Sequence, residues 1–345
     1  MLERYRASLP GRSHDGFAEP ITGPSVGSEA SAVEVMIMVG PTGNAGNAGP
    51  TDRGTVLVTG TSSGIGRATV VALAGAGFTV FAGVRNEGDA DEVRALVPGR
   101  IRPIRIDVTD PFLIAEAAAA ITAEVGAAGL AGLVNNAGTG TPCPMELLPL
   151  DEMRQELEVN LVGPLAVTQA FLPLLRRAGG RLVNVGSEGG RITLPYIAPI
   201  TVPKHGLVSL TNALRMELRP WGIHVVLIEP GATATRAPAK MVGNARQLVQ
   251  RLFDDGRRLY GSSFATVIEG IAARSDAGSP PETIAGVILR ALTVRRPATR
   301  YPAGGHAKLL IRLSRLLPDR WLDRMFFRML GLEWRFGGRL PRSER

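Results

Sequence analysis

Between residues 54 and 230 the chain alternates short apolar segments with segments of helical periodicity. The short segments are apolar at almost every position, which is typical of strands that are buried on both faces. Strands of this kind, separated by helices, predict a parallel sheet with helices on both sides. Right-handed crossovers then give a doubly wound α/β fold, whose ligand is expected beyond the carboxyl ends of the strands. The six predicted strands are TVLVTG, FTVFAGVR, IRPIRIDV, LAGLVNNAG, GRLVNVGS and IHVVLIEPG.

The sequence divides into one domain with an extension at each end. Residues 1–53 contain 18 Gly, Pro or Ser residues and are predicted to be a flexible extension without a fold of its own. Residues 54–304 form the predicted Rossmann-like domain. Within it, residues 232–280 interrupt the alternation over a length unusual for a connection, so we predict a lid there. Residues 305–345 are predicted to be a basic, amphipathic, helical C-terminal segment.

Composition excludes several classes of protein. The single cysteine, Cys143, excludes a disulfide within the chain and a four-thiolate zinc site, and four scattered histidines predict no metal site. Residues 306–345 hold ten basic and four acidic residues, which is +6 of the net charge of +8. The rest of the chain is nearly neutral, so we expect no nucleic-acid partner. With no secretory signal and no run of about 18 apolar residues, we expect a cytoplasmic protein without a membrane span.

A glycine-rich turn joins the first predicted strand to the first predicted helix, with the spacing GxxxGxG over residues 60–66. The glycines allow a tight turn and a close approach of the backbone to a ligand. The N-terminus of the helix offers unpaired N–H groups and a positive dipole end, which suit a pyrophosphate. The strand–turn–helix context favours a dinucleotide-binding loop over a turn without a ligand. The predicted cofactor-binding residues here are Gly60, Ser62, Ser63, Gly64, Ile65 and Gly66.

The end of the second predicted strand bears on the choice between NAD and NADP. An acidic residue there would hold a ribose 2′-hydroxyl and favour NAD. The strand instead ends in Ala82, Gly83 and Val84, followed by Arg85. A guanidinium group suits a 2′-phosphate because it donates two parallel hydrogen bonds. We therefore predict NADP as the cofactor, with NAD as the alternative if Arg85 is only a solvated surface residue.

Several motifs follow one another in order within residues 54–304. They are TGTSSGIG, Asp107-Val108, the NNAG of residues 135–138, Asn160, Ser187, Lys204, and Pro230-Gly231 with Thr235. In this combination the chain resembles the short-chain dehydrogenase/reductase family. The segments AGVR, TRYPAGG and LLPDR resemble segments of the family branch that acts on retinol-like and steroid-like alcohols and ketones. The resemblance implies a Rossmann-like fold, a nicotinamide cofactor and a lipophilic alcohol or carbonyl substrate. It also implies a homo-oligomer, because family members commonly pair through the helices around Asn160 and Lys204.

The resemblance further implies roles for residues at matching positions. Asn160 would hold a water molecule in a proton relay, and Ser187 would hydrogen-bond the substrate oxygen. Lys204 would bind the ribose hydroxyls and lower the pKa of a neighbouring tyrosine. The other matching residues would contact the cofactor: Asp107, Val108, Asn135, Ala137, Gly138, Pro230, Gly231, Thr233 and Thr235.

The chain departs from the family pattern at the proton donor. The pattern is Tyr-x-x-x-Lys with the tyrosine thirteen residues after the serine, and that count from Ser187 reaches Ile200. Isoleucine neither donates nor accepts a proton. Pro199 and Pro203 beside it predict that the helix carrying Lys204 starts late.

Two residues near this position are candidate substitutes for the missing tyrosine. Tyr196 is four residues before the isoleucine and is the candidate acid, although the prolines argue against a helix that would align it with Lys204. His205 is the other candidate, because histidine is a common general acid–base residue, but it should point away from its neighbour Lys204. For both residues a packing or surface role is the favoured interpretation.

The basic C-terminal segment has apolar residues at helical spacing among its arginines, and Pro318 is expected to divide residues 306–331 into two helices. One interpretation is an amphipathic pair that contacts a membrane surface or closes a lipophilic site. The other is a pair of helices docked on the domain with a solvated arginine face. The second is slightly favoured, because LLPDR resembles the end of the family branch.

These features predict an NADP-linked oxidoreductase of lipophilic alcohols and their ketones or aldehydes, with impaired or rearranged proton transfer. The alternative, motivated by Ile200, is a catalytically inactive nucleotide-binding sensor or partner subunit. A third and weaker hypothesis is a membrane-surface or scaffold protein that uses the C-terminal segment.

Overall fold

The computed structural model describes residues 52–235, 254–305 and 307–333, together with Gly243 and Gln247. The predicted N-terminal extension, residues 1–53, lies almost wholly outside the described residues, and so does the middle of the predicted lid. The C-terminal segment is described as far as Glu333.

One parallel sheet runs through the described part of the chain. Its strands are β1 (Thr55–Val58), β2 (Thr79–Val84), β3 (Ile101–Arg105), β4 (Gly132–Asn135), β5 (Arg181–Val185), β6 (His224–Pro230) and β7 (Arg300–Ala303). Their order across the sheet is β3-β2-β1-β4-β5-β6-β7, and every neighbouring pair is parallel. The order reverses between β1 and β4, so a crevice for a ligand opens at their carboxyl ends. The doubly wound α/β fold is confirmed.

Helices cover both faces of this sheet. They are α1 (Gly64–Gly75), α2 (Glu87–Arg94), α3 (Pro111–Val125), α4 (Leu150–Leu157), α5 (Gly163–Ala178), α6 (Ala198–Glu217), α7 (Asp254–Asp276), α8 (Pro281–Thr293), α9 (Ala307–Leu316) and α10 (Asp319–Met329). Buried residues of α1, α2 and α8 form the core on one face, and those of α3, α5 and α6 form the core on the other.

Successive strand residues contribute to these two cores in turn. In β1, Val56 and Val58 belong to the core that includes α1 and α8, whereas Leu57 belongs to the core that includes α3, α5 and α6. All three side chains are fully buried. Burial on both faces is the reason why the strands are continuous apolar runs in the sequence.

A turn of π-helix lies between α4 and α5. The sequence predicts one long helix region over residues 153–175, bent or shortened by its prolines. The structure has α4, a single π-helical turn at Glu158–Val162, and then α5, with Pro164 in its first turn and Pro173 inside it. Asn160 lies in the π turn. Such turns occur frequently at functional sites.

The helix that carries Ile200 and Lys204 begins before both of them. The prolines predict a late start, and this prediction is wrong, because α6 begins at Ala198. Pro199 occupies the first turn, where its missing N–H would have no helical acceptor, and the helix also accommodates Pro203. Ile200 and Lys204 therefore lie one turn apart on the same side of α6.

The helices α9 and α10 are divided at Pro318, as the sequence predicts. Leu310, Leu322 and Phe326 form a buried cluster with Ile192, so the inner face of the pair is docked on the domain. This arrangement matches the favoured interpretation of the C-terminal segment.

Two described segments are long and apolar enough to cross a membrane by length and composition alone. They are Pro111–Ala128 and Leu150–Ala178. Both contain charged residues, so neither is the uncharged apolar run of about 18 residues that the sequence analysis did not find. Each contributes to the core beside the sheet, through residues such as Ile121 and Phe171. A core helix passes the same test, so the match carries little weight.

Candidate active site

The glycine-rich loop between β1 and α1 leaves no room for a side chain at two of its glycines. Gly60 has φ of +68°, and a Cβ there would lie 2.7 Å from Ala137 Cα. A Cβ on Gly66 would lie 2.1 Å from the carbonyl oxygen of Gly60. Thr61 anchors the loop to β2, because its N and Oγ1 both donate to Gly83 O at 3.0 and 3.1 Å. The loop is therefore a fixed backbone surface.

The N-terminus of α1 faces this surface. Ser63 is the N-cap residue in an extended conformation, and its side chain makes no capping hydrogen bond. The first N–H groups of a helix have no intrahelical acceptor, so those of Gly64 and Ile65 suit an anion. Thr235 lies against the loop, with Cγ2 3.2 Å from the position of a Cβ on Gly64.

Asn136 ties this loop to the end of β4, a role that the sequence analysis missed. Its Nδ2 donates to Thr59 O at 3.0 Å and to Gly60 O at 2.9 Å. Thr59 Oγ1 in turn accepts from the backbone N–H groups of Asn136 and Ala137. The NNAG motif contained the signal, but only its first asparagine was selected.

The first asparagine of that motif, Asn135, is directed into the packing between the sheet and α5. Its Nδ2 lies within hydrogen-bond distance of Pro164 O, Thr168 Oγ1 and Asn184 Oδ1, at 3.2, 3.0 and 2.9 Å. Its Oδ1 is buried and has no hydrogen-bond partner among the described residues. The described contacts give this side chain a structural role that joins β4, β5 and α5.

The carboxyl ends of β2 and β3 carry the residues expected at the adenine end. Arg85 directly follows β2, is exposed, and forms no ion pair with any described residue. Asp107 follows the neighbouring β3 and accepts from the N and Oγ1 of Thr109 at 2.9 and 2.8 Å. Val108 is buried, and a Cβ on Gly163 would lie 2.9 Å from it.

The segment after β6 carries the residues expected at the nicotinamide end. Pro230 ends the strand, and Gly231 O accepts from Thr233 Oγ1 at 2.9 Å. Thr233 forms a parallel bridge with Ser279, which fixes the segment against the residues before α8. Since Thr235 touches the loop, residues 230–235 and the glycine-rich loop border the same space.

Two residues predicted to take part in proton transfer, Asn160 and Lys204, lie beside Gly138. A Cβ on Gly138 would be 3.0 Å from Asn160 Oδ1 and 3.6 Å from Lys204 Nζ, so both groups border the same point. Asn160 is fully enclosed and is held at both ends of its amide: Oδ1 accepts from Thr139 N at 3.3 Å, and Nδ2 donates to Thr139 O at 3.1 Å. Lys204 Nζ donates to Val185 O at 3.2 Å.

A buried carboxyl group, Glu156, joins this cluster, and sequence reasoning missed it. Glu156 is 3% exposed, and its Oε2 accepts from Asn160 Nδ2 at 3.1 Å. Burial is the main cause that raises the pKa of Glu156 to about 7, with Glu152 adding to it and Thr141 and Lys204 opposing it. The only signal was its position four residues before Asn160, on the same side of a helix.

Burial also acts on Lys204. It lowers the pKa of the Lys204 ammonium to about 8, and the charge of Glu156 opposes this shift. The two buried groups therefore titrate much closer together than a free glutamate and a free lysine do.

Ser187 and Ile200 complete the predicted set. Ser187 lies just after β5, and its Oγ accepts from Gly189 N at 3.0 Å. The Ile200 side chain covers Gly140, with Cδ1 2.8 Å from the position of a Cβ there. A hydrocarbon thus occupies the helix position one turn before Lys204.

Tyr196 is placed away from that helix face. It precedes α6 with φ of +70° and so does not continue the helix. Its hydroxyl lies 2.7 Å from Ser263 Oγ, and its ring meets Phe264 edge-to-face at 5.3 Å. Burial raises its pKa. These contacts are with α7, so the hypothesis that Tyr196 acts as the substitute acid finds no support in them.

His205 and Cys143 show no arrangement that indicates a catalytic role. His205 is exposed, and its Nδ1 lies 2.9 Å from Thr201 O within α6. Cys143 is fully buried, and burial raises the pKa of its thiol to about 11, so it is not an activated thiolate. Over the described ranges, no group of His, Cys, Asp and Glu side chains is arranged to hold a metal ion.

A groove of about 820 Å³ borders the glycine-rich loop on the side of α1, α2 and α8. Its lining includes the predicted cofactor-binding residues Ser62, Ser63, Gly64 and Thr235. It also includes Arg67, which pairs with Glu92, and the acidic residues Asp276 and Glu282. Asn160, Ser187 and Lys204 are not among the lining residues.

Together these features define a dinucleotide-binding α/β protein with a cluster of polar residues beyond the carboxyl ends of its central strands. The loop fits a pyrophosphate because side chains are excluded at Gly60 and Gly66, which leaves backbone N–H groups exposed to a ligand. The sequence profile described as short chain dehydrogenase matches residues 54–245. The chain belongs to the short-chain dehydrogenase/reductase family and is an oxidoreductase.

Three similar proteins illustrate this membership. NADPH-dependent 3-dehydrocapnine reductase of Ornithobacterium rhinotracheale is 33% identical over 281 residues, which cover 79% of this chain and 96% of that protein. Retinol dehydrogenase 5 of Mus musculus is 35% identical over 279 residues, covering 78% and 86%. A short chain dehydrogenase from Burkholderia cenocepacia J2315, solved in complex with NADP, is 25% identical with a TM-score of 0.60, covering 79% and 96%. The chain is a member of the retinol- and hydroxysteroid-dehydrogenase-like branch.

Proposed function

We propose that this protein is an NADP(H)-dependent oxidoreductase that interconverts a lipophilic alcohol and its ketone or aldehyde. The observation that carries the proposal is the combination, beyond the carboxyl ends of the central strands, of a phosphate loop with no room for side chains at Gly60 and Gly66 and the residues Ser187, Asn160 and Lys204. NADP supplies hydride transfer when bound.

NADP is favoured over NAD by Arg85. This exposed guanidinium stands at the end of β2 without a carboxylate partner among the residues described, so it is available to a 2′-phosphate. The NADP complex of the Burkholderia relative and the NADPH-dependent reductase support the same choice.

Ser187, Lys204 and Asn160 have different proposed roles around the oxygen atom of the substrate. Ser187 presents a hydroxyl that can donate to the substrate oxygen, because its Oγ is otherwise engaged as an acceptor from Gly189 N. Lys204 provides positive charge beside Gly138. Asn160, held by its hydrogen bond from Thr139 N, provides a fixed polar surface at the same place. Ile200 supplies only apolar surface. A lipophilic substrate suits that surface, and the retinol and 17β-hydroxysteroid dehydrogenases among the relatives support this class.

The proposed function is tested by cofactor binding and turnover measured side by side. NADPH and NADH are titrated by fluorescence, and reduction is assayed with a panel of retinal-like, steroid-like and short polar carbonyl compounds. We expect tighter binding of NADPH, turnover of the lipophilic members, and loss of the NADPH preference in Arg85→Ala. The control is Arg94→Ala, an exposed arginine on α2 that pairs with Asp91. Tight binding without any turnover would favour the inactive nucleotide-binding sensor or subunit instead.

We also propose peripheral contact of α9 and α10 with anionic membrane surfaces. On the outer face of the pair, Leu316 and Trp321 are 78% and 63% exposed. Arg312, Arg315 and Arg320 are exposed beside them and form no ion pair with any described residue. Exposed apolar side chains between unpaired cations are complementary to an anionic bilayer surface.

Vesicle flotation tests this contact. Wild-type protein should float with phosphatidylglycerol vesicles at low salt and much less with phosphatidylcholine vesicles. In the double variant Arg312→Glu, Arg315→Glu, binding should fall by at least about 30-fold, since each lost basic residue contributes about 1 kcal/mol near an anionic surface and the added carboxylates are repelled by it. The matched control is Arg295→Glu, Arg296→Glu, an exposed pair after α8. Equal losses in the two double variants would argue against a specific surface.

Self-association through α5 and α6 remains part of the proposal. Val162, Val202 and Met216 lie in or beside these helices and are 43%, 45% and 61% exposed, which leaves apolar surface available for a second copy.

A further inference from the structure

The site contains no phenol where the reaction needs an acid. Position 200 is a hydrocarbon, Tyr196 is hydrogen-bonded to α7, and His205 is on the exposed side of α6. A serine hydroxyl is too weak an acid for this step unless a neighbouring group activates it, and the described contact of Ser187 Oγ is with Gly189 N. In the described part of the chain, the titratable groups that remain at this point are Lys204 and Glu156.

The Lys204 ammonium group can donate protons to a group in the space beside Gly138. An ammonium group carries three N–H donors, and Val185 O accepts one of them. Because Gly138 has no side chain, Nζ and Asn160 Oδ1 both border the space beside it, at 3.6 and 3.0 Å from one common point. Burial of the ammonium favours release of its proton.

Glu156 is a second titratable group near Lys204, and its carboxyl group is buried. Its Oε2 accepts from Asn160 Nδ2 at 3.1 Å, and Thr141 favours the charged form of the carboxyl group and so opposes the rise in its pKa. The charged groups that act on Glu156 are Glu152 and Lys204, and the charged group that acts on Lys204 is Glu156. Asn160 therefore contacts Glu156 directly through Nδ2, and its Oδ1 borders the same space beside Gly138 as Lys204 Nζ.

We propose that Lys204 is the acid–base group that replaces the missing tyrosine, and that Glu156 is the proton store that recharges it through water. This inference rests on the proposed oxidoreductase function. Carbonyl reduction needs a hydride at the carbonyl carbon, which bound NADPH would supply, and a proton at the oxygen, which Lys204 Nζ would supply. The neutral amine would then take the proton of the Glu156 carboxyl through a water molecule, and the carboxylate would regain a proton from solvent. Alcohol oxidation runs the same transfers in reverse.

The first test needs no turnover. The chain has three lysines, Lys204, Lys240 and Lys308, so lysine-selective isotope labelling gives three side-chain NMR signals, and Lys204→Arg assigns one of them. We expect Lys204 to titrate near pH 8, and lower still in Glu156→Gln, because that variant removes the charge that raises the Lys204 pKa. Glutamine keeps an acceptor for Asn160 but cannot carry a proton. The control is Glu158→Gln, an exposed neighbour. An unchanged Lys204 titration in Glu156→Gln would overturn the coupling.

The second test is kinetic. In wild type, kcat for reduction should fall as the pH rises through the Lys204 pKa, since the amine must be protonated to act as the acid. Glu156→Gln should lower kcat roughly 10- to 100-fold with little change in KM, because general acid–base catalysis contributes factors of this size or more. Glu156→Asp should restore part of the loss.

Different results would contradict the proposed oxidoreductase function and the proposed roles of Lys204 and Glu156. Turnover with a pH profile that is the same in wild type and Glu156→Gln would overturn the role of this pair and leave the oxidoreductase function standing. A Lys204 signal that responds to Glu156→Gln, with NADPH bound and no substrate turned over, would overturn the oxidoreductase function.

Discussion

Gly66→Ala should bind NADPH about 100-fold more weakly than wild type, because small displacements of a binding surface cost factors of this order. The added Cβ would lie 2.1 Å from Gly60 O and 2.6 Å from Asn136 Nδ2. The first is backbone, and the second holds the loop to β4 through Thr59 O. The loop must therefore shift, and the backbone N–H groups that would bind a pyrophosphate shift with it.

Gly75→Ala is the matched control for this prediction. Gly75 lies at the other end of α1, and a Cβ there would meet nothing within 4 Å. Fluorescence titration with NADPH measures the affinity, and circular dichroism melting reports the fold of each variant. Overpacking typically costs about 1–3 kcal/mol, so a somewhat lower melting temperature is expected for Gly66→Ala. A folded Gly66→Ala protein with wild-type affinity would show that the cofactor does not rest on this loop.

The fold was predictable because strands buried on both faces leave an unambiguous pattern. Val56, Leu57 and Val58 are all buried, and runs of this kind identified β1 to β6 in order. The last strand, β7, was harder, because its four residues RYPA are mostly half-buried and do not form an apolar run. The start of α6 was mispredicted because Pro199 falls in the first turn, where proline is tolerated.

The candidate site was predictable where backbone geometry or spacing identifies a residue. Gly60 and Gly66 have positions at which only glycine fits, and Lys204 keeps its distance from Ser187. Glu156 gave no such signal, because a polar residue on a helix is exposed in most cases, and its burial depends on how α4, the π turn and α6 pack together. The sequence also did not predict where the Tyr196 side chain points, because its direction depends on a positive φ just before α6.

Ile200→Tyr should raise kcat for carbonyl reduction about 100-fold, the lower end of what a positioned acid contributes, because Lys204 already supplies part of the proton transfer. The substituted residue lies one turn before Lys204 on α6. A phenol there would lie near the ammonium, and positive charge lowers the pKa of a phenol. The isoleucine side chain faces Gly140, where no side chain competes for the space.

Ile200→Phe separates proton donation from packing, because it adds a ring of the same shape without the hydroxyl. We expect no gain in kcat from Ile200→Phe and unchanged NADPH affinity in both variants, measured by stopped-flow absorbance and fluorescence titration. In the Ile200→Tyr background, Glu156→Gln should cost little, since the phenol then delivers the proton to the substrate oxygen. If Ile200→Tyr and Ile200→Phe changed kcat equally, the effect would be one of substrate packing. The residue at position 200 would then not determine how the proton reaches the substrate oxygen.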